Sequence, residues 1–341
     1  MIRGLLAGRL LVGVLCALAG AASAGVQVEA QRSGVEVRLR GISAVDANVA
    51  WASGQKGTVL RTLDGGAHWQ KVAVPQAAEA LDFRDIEGFD ATTAVVLSIG
   101  PGESSRVYRT EDGGASWTQV LRNRDERAFF DCMAFEGERG WLMGDPVDGR
   151  FQLYVTRDGG RHWMLDANGP PASEGESAFA ASGTCIARLR GAIAVGSGGG
   201  VARLHVRRDG DPRWWSFDSG MGRGKPEAGV FSLASTAAGA FAVGGDYKDE
   251  GGAGNAVEWR GRDRREPLRV VDAPRGYRSG AACVDRDPSA CIAVGPSGVD
   301  AWDGTAWTAV EAAGYDAIDL HGDIGWASGD RGRIARVAID D

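Results

Sequence analysis

The 341-residue sequence has no apolar run long enough to cross a bilayer, no Cys-x-x-Cys, no grouping of its four histidines with cysteines, and no convincing helical stretch. These gaps exclude a spanning helix and leave no support for a zinc or thiol-redox site of the motif type. Charge of one sign is also scarce: 38 Lys and Arg against 45 Asp and Glu leave a net −7. That balance argues against nucleic acid or a polyphosphate as partner. With 44% hydrophobic and 24% charged residues, disorder and fibre are excluded as well. What the sequence has in excess is glycine, 52 residues, and tryptophan, 11 residues.

Residues 1–24 read as an export leader. Arg3 and Arg9 supply the basic start, Leu10 to Ala19 the apolar centre, and Ala22-Ser23-Ala24 a small-residue cleavage site. The mature chain is expected to begin at Gly25 and to form one domain over residues 25–341, in the periplasm if the source is bacterial. Cys16 follows Leu15, where a lipid-anchor signal has a small residue. Export places the remaining cysteines in an oxidising setting. Cys283 and Cys291 flank Asp285-Arg286-Asp287-Pro288, a turn between neighbouring strands, and a hairpin disulfide is open to them if both face one side. Cys132 and Cys185 read at least as readily as free core thiols.

The chain repeats itself. Thr62-Leu63-Asp64-Gly65-Gly66-Ala67-His68-Trp69 returns as Thr110-Glu111-Asp112-Gly113-Gly114-Ala115-Ser116-Trp117 and as Thr156-Arg157-Asp158-Gly159-Gly160-Arg161-His162-Trp163. A second marker, an apolar residue followed by small residues and a turn, recurs at Trp51, Val95, Trp141, Ile193, Phe241, Ile292 and Trp326. Seven phases of this length, rich in Gly and Trp, predict an all-β, seven-bladed β-propeller. The last repeat stops at Ala338-Ile339 after the strand Arg333 to Val337, which leaves its outer strand missing. The strictly alternating run Val35-Glu36-Val37-Arg38-Leu39-Arg40 is therefore expected to close the last blade as an N-terminal strand.

In each Asp-Gly-Gly turn the aspartate accepts local N–H groups, the glycines allow positive φ, and the tryptophan packs on the adjoining blade. The roles of Asp64, Trp69, Asp112, Trp117, Asp158 and Trp163 are thus expected to be structural. Asp112→Ala is expected to strand buried N–H groups. One carboxylate per turn is too few for calcium, and neither a metal nor a cofactor is expected. These stretches match the Asp-box, or BNR repeat. With Trp51-Ala52-Ser53-Gly54, the pattern resembles the photosystem II assembly and stability factor family and its relatives in non-photosynthetic bacteria.

That resemblance implies an exported binding or assembly scaffold for a protein partner, such as a membrane or envelope complex. It also implies an arginine-rich recognition surface, carried here by Arg40 and Arg84. The alternative is a glycan-binding or glycoside-hydrolysing, sialidase-like propeller. Against it, no Arg-Ile-Pro element occurs, Tyr108 and Tyr154 lie on strands, and only Asp85, Asp131 and Asp316 offer carboxylates that could converge. The protein is read as a monomer and not an enzyme. Eleven residues before the second marker, the chain should enter its innermost strand at the channel mouth. This count and its near-equivalents single out Arg40, Arg84, Phe130, Arg278 and Tyr315 as the partner-binding rim.

Overall fold

The computed structural model describes residues 25–222, 224–261, 268–284 and 290–340. The expected leader and the turn Asp285–Pro288 lie outside the described residues. The described residues form seven antiparallel sheets arranged as a seven-bladed β-propeller, without an α-helix. The middle strands are read most easily from sequence. Ala50–Gly54, Ala192–Gly196 and Cys291–Gly295 are buried along their whole length, because both faces of the sheet are covered by neighbouring blades. Small residues there let adjacent sheets approach. Outer strands such as Thr118–Arg122 meet solvent and carry polar residues.

The core is a ring of interfaces. Trp51, Val59 and Val72 of blade 1 pack with Phe83, Ile86 and Val96 of blade 2. Comparable clusters follow around the ring, ending where Leu39, Ala52 and Leu60 meet Ala317, Trp326 and Ile334 of blade 7. Inner strands are also stapled by single hydrogen bonds. Gly88 N–H donates to Ser43 Oγ at 3.0 Å, Ala281 N–H to Ser232 Oγ at 2.8 Å, and Ala44 N–H to Asp319 Oδ2 at 2.8 Å. A disulfide, Cys132–Cys185, ties blade 3 to blade 4, so these residues are not free thiols. Their Cα atoms are 5.9 Å apart because successive inner strands converge on the channel. Cys283 and Cys291 face each other in adjacent strands of blade 6 and form a second disulfide.

An N-terminal strand closes blade 7, but its segment differs from the expected one. Val26–Arg32 pairs along its whole length with Arg333–Ile339. Residues 35–38 form the connection into blade 1, and Leu39–Ala44 is the inner strand of that blade. Alternation at 35–40 has another cause: Val35, Val37 and Leu39 pack on the seam between blades 7 and 1, while Glu36 is exposed and Arg38 and Arg40 turn to the channel mouth.

The three Asp-Gly-Gly turns are superimposable in their bonding. Asp64 Oδ1 accepts from Thr62 Oγ1 at 3.0 Å and from His68 N–H at 2.9 Å, with the same pattern at Asp112 and Asp158. Both glycines of each turn have positive φ, such as 75° at Gly113 and 84° at Gly114. Trp69 and Trp117 donate through Nε1 to the neighbouring blades, to Gln31 Oε1 at 3.0 Å and Ala73 O at 2.9 Å; Trp163 instead bonds Gly160 O of its own turn. Asp64 and Asp112 are exposed and Asp158 is half-buried, and the Ser116 N–H that Asp112 accepts is exposed too. Asp112→Ala therefore strands no buried donor at that bond. The buried N–H of Gly114 is satisfied by Thr110 Oγ1 instead.

Two outcomes follow for stability. Removing residues 25–32 should lower the melting temperature sharply by baring the edge of Arg333–Ile339; circular dichroism showing a truncated chain that melts with the intact one would refute closure by this strand. Thr110→Val should cost about 1–3 kcal/mol in chemical denaturation by leaving the Gly114 N–H without a partner, and Asp112→Asn should cost clearly less. The opposite ranking would return the structural role to the carboxylate.

Candidate functional site

The inner strands carry β-bulges at the channel mouth. The pairing register shifts between Leu39 and Gly41, Phe83 and Asp85, Phe130 and Cys132, and Val230 and Ser232. Each shift leaves one residue unpaired in the ladder: Arg40, Arg84, Asp131 and Phe231. A bulge re-aims side chains at the rim of a closed sheet, and all four residues line a single cavity of about 430 Å³. Asp145, left out by a further shift between Gly144 and Pro146, joins them.

Two of the five expected rim residues, Arg40 and Arg84, are therefore at the mouth. The other three are not. Phe130 is 0% exposed and packs between blades 2 and 3. Tyr315 is 2% exposed and packs between blades 6 and 7, with Arg333 over its ring. The eleven-residue count fails for both because their hairpins are one residue shorter. Trp51 pairs with Ser43 and Val95 with Glu87, whereas Trp141 pairs with Ala134 and Trp326 with Asp319. The corrected count reaches Asp131 and Asp316, which do line the cavity. Arg278 is 0% exposed, its Nε donating to Asp300 Oδ2 at 2.9 Å and its Nη1 to Ser297 Oγ at 3.0 Å. Its neighbour Tyr277 lines the mouth instead. Of the three carboxylates expected to converge, Asp85 is diverted, accepting the Met133 N–H at 2.5 Å.

A feature without a local signature completes the site. The connection between blades 3 and 4 crosses the mouth, and Ala178 to Ala181 form part of its wall. One end of this strap is pinned by Glu176, which accepts from Arg203 Nε at 2.9 Å, Ser197 Oγ at 2.5 Å and Ser173 N–H at 2.8 Å, and lies 3.0 Å from His205 Nε2. Gly198–Gly199 is a short strand between Glu176–Ser177 and Lys225–Thr236. A Cβ at Gly198 would come within 2.3 Å of Phe179, so glycine is what lets the strap pass. The other end is held by Ser182 Oγ, which donates to Ser279 O at 2.6 Å. Phe179 then stacks on Phe231 at 3.9 Å with an 8° tilt, and Tyr277 meets Phe231 edge-on at 4.7 Å.

The charges of the mouth are unevenly satisfied. Arg38 clasps Asp316 through Nε at 2.8 Å and Nη2 at 2.6 Å. Arg84 Nε donates to Asp82 Oδ2 at 3.0 Å, and its Nη1 to Ala180 O at 2.7 Å. Arg40 has no carboxylate partner: Nη1 donates to Ala181 O at 3.3 Å and Nε is buried without an acceptor. Burial, with Arg84 nearby, pulls the Arg40 guanidinium down to about 10. On blade 3 Asp131 is 1% exposed and its Oδ2 has no partner. Burial, reinforced by Asp145, raises its carboxyl well above the usual range. Asp145 is raised by burial too, although its Oδ1 accepts the Ala178 N–H at 2.9 Å. Glu87 and Asp85 are likewise held toward neutrality, mainly by burial, and burial raises Asp319 to about 6.

Asp131 therefore imposes a pH-dependent cost. Below the unfolded value near 4 both states are protonated and nothing is lost; as pH rises above it, only the unfolded carboxyl ionises and folding weakens. Asp131→Asn should gain stability over the parent as pH rises from about 4 to 8, measured by urea denaturation. A difference constant over that range would mean that Asp131 ionises as readily folded as unfolded.

No family model matches the chain, and no curated protein matches its sequence. Solved structures do. A structure of YCF48 bound to D1 peptide aligns with a TM-score of 0.62 at 15% identity, over 92% of this chain and 97% of that one. YCF48 from Cyanidioschyzon merolae gives the same TM-score at 18% identity, over 90% and 98%. The WD40 β-propeller domain of Doa1 aligns at 0.56 and 10% identity, over 93% and 97%. At these identities the chain shares a propeller fold with both groups.

Proposed function

We propose that the protein is an exported propeller that binds a segment of a protein partner at the channel mouth and serves as a binding or assembly scaffold. The observation that carries this reading is Arg40: a part-buried guanidinium with an orphaned Nε and no carboxylate, set beside Arg84 over an aromatic floor. Such a group gains most from an incoming anion or carbonyl. The similar YCF48 propeller, solved with a D1 peptide, supports a peptide as the occupant. The three Asp-Gly-Gly turns support placement among Asp-box propellers related to the photosystem II assembly factors. Export is supported by the leader-like residues 1–24 and by two disulfides, one of which clamps two blades together. The partner would belong to the envelope or to a membrane complex.

Binding is favoured over glycoside hydrolysis by the state of the carboxyls. A hydrolase pair needs one ionised carboxylate as nucleophile or base beside a protonated acid. Here Asp316 is clasped by Arg38 and Asp85 by a backbone N–H, while Asp131 and Asp145 are both pushed toward neutrality.

Arg40→Ala combined with Arg84→Ala should abolish capture of specific envelope proteins by the immobilised mature chain, with the melting temperature retained, and capture by the parent should weaken as salt rises. A double variant that captures the same proteins as the parent would remove the mouth from the function. Turnover of a model glycoside that is lost in Asp131→Asn would favour the hydrolase instead.

A further inference from the structure

We infer that the mouth is a two-sided subsite whose occupant is a peptide segment carrying a cationic side chain close to a carboxylate, the carboxylate seated on Arg40 and the cation on Asp131. This rests on the peptide-binding reading of the same cavity and specifies what the peptide must present.

The argument is one of unmet partners. Among the described residues, ten buried side-chain polar atoms lack a hydrogen bond, and two of these belong to residues lining this one cavity: the donor Arg40 Nε and the acceptor Asp131 Oδ2. Buried polar groups are normally satisfied, and an orphan in a concave site marks a place for a ligand atom. The remaining strong charges are already engaged. Arg38 is spent on Asp316, and Arg84 on Asp82 and the strap carbonyl of Ala180. What is left is an arginine without an anion on blade 1 and, on blade 3, two carboxyls that form no direct ion pair, Asp131 and Asp145, with Arg84 acting on Asp131 only through space.

A purely anionic ligand would satisfy Arg40 and leave Asp131 unmet. A purely cationic one would do the reverse and add charge beside Arg40 and Arg84. A segment with both charges satisfies both walls. The floor between them suits the stem of such a side chain: Phe179 stacked on Phe231, with Tyr247 edge-on to both, gives a flat apolar surface for methylene groups. A cation arriving at Asp131 favours its ionised form, so the acid that burial keeps neutral becomes the cation's partner.

The test uses the mature chain and three fluorescein-labelled decapeptides of glycine and serine, read by fluorescence anisotropy. One carries a central Glu-Leu-Lys, one the same core with the lysine acetylated, and one a Gln-Leu-Lys core. The Glu-Leu-Lys peptide should bind best, and acetylation should weaken it about tenfold, a difference of about 1.4 kcal/mol. Asp131→Asn, near-isosteric and checked by its melting temperature, should lose a similar factor with the lysine peptide and nothing further with the acetylated one. Arg40→Gln should weaken both glutamate peptides and leave the glutamine peptide unchanged. If Arg40→Gln matters while acetylation and Asp131→Asn do not, the mouth binds anions only: the two-sided subsite is wrong and the peptide-binding reading survives. If none of the peptides binds at millimolar protein, or binding ignores Arg40, both fail.

Discussion

The structure depends on closing a ring of sheets that cannot be stable one at a time. Each blade is covered on both faces by its neighbours, so its apolar middle strands are buried only if the circle is complete. The seam between blades 7 and 1 is where the chain's two ends meet. There Val26–Arg32 hydrogen-bonds to Arg333–Ile339, and Leu39 and Leu60 pack with Trp326 and Ile334. Pairing of this kind removes a free strand edge and brings together residues nearly the whole chain apart. Arg38 and Asp316, 278 positions apart in sequence, form their bidentate pair at the mouth only because of it.

Closure also creates the site. Inner strands converge on a narrow axis, and at four of them a bulge turns one residue out of the ladder and into the mouth. The bulged positions on successive blades carry Arg40, Arg84 and Asp131. Two of them are left with unmet groups: Arg40 is partly desolvated without an anion, and Asp131 is buried with an empty acceptor. Costs of that kind at a concave surface are characteristic of sites kept for a ligand.

The strap across the mouth gives the cavity its floor and its polarity. Its carbonyls at Ala180 and Ala181 hold Arg84 and Arg40 in place, and Phe179 completes the aromatic stack. Its anchor is a buried ionic network in which Arg203, Ser197 and His205 surround Glu176. Several kinds of side chain thus work to hold a short segment in a position that the blades alone would leave open.

Local features of the chain were sufficient for some of this. The repeat period and the Gly- and Trp-rich markers determine seven blades, because each marker reports a strand-and-turn unit whose hydrogen bonds are made within a few residues. The Thr-x-Asp-Gly-Gly turns are of the same kind, with every bond of Asp64 to its own turn reaching no further than four residues. Phase counting found Arg40 and Arg84 because blades 1 and 2 have hairpins of equal length. It missed Asp131 and Asp316 because one residue fewer in a hairpin reverses which side chain faces the axis. Alternation could not tell the closing strand, Val26–Arg32, from the connection at 35–38, since both alternate apolar with polar residues, Val26 and Val28 against the seam of blades 6 and 7 and Val35 and Val37 against that of blades 7 and 1. The Cys132–Cys185 bridge and the strap join different blades. Only the tertiary structure decided these, because their partners are neighbours through the ring and not along the chain.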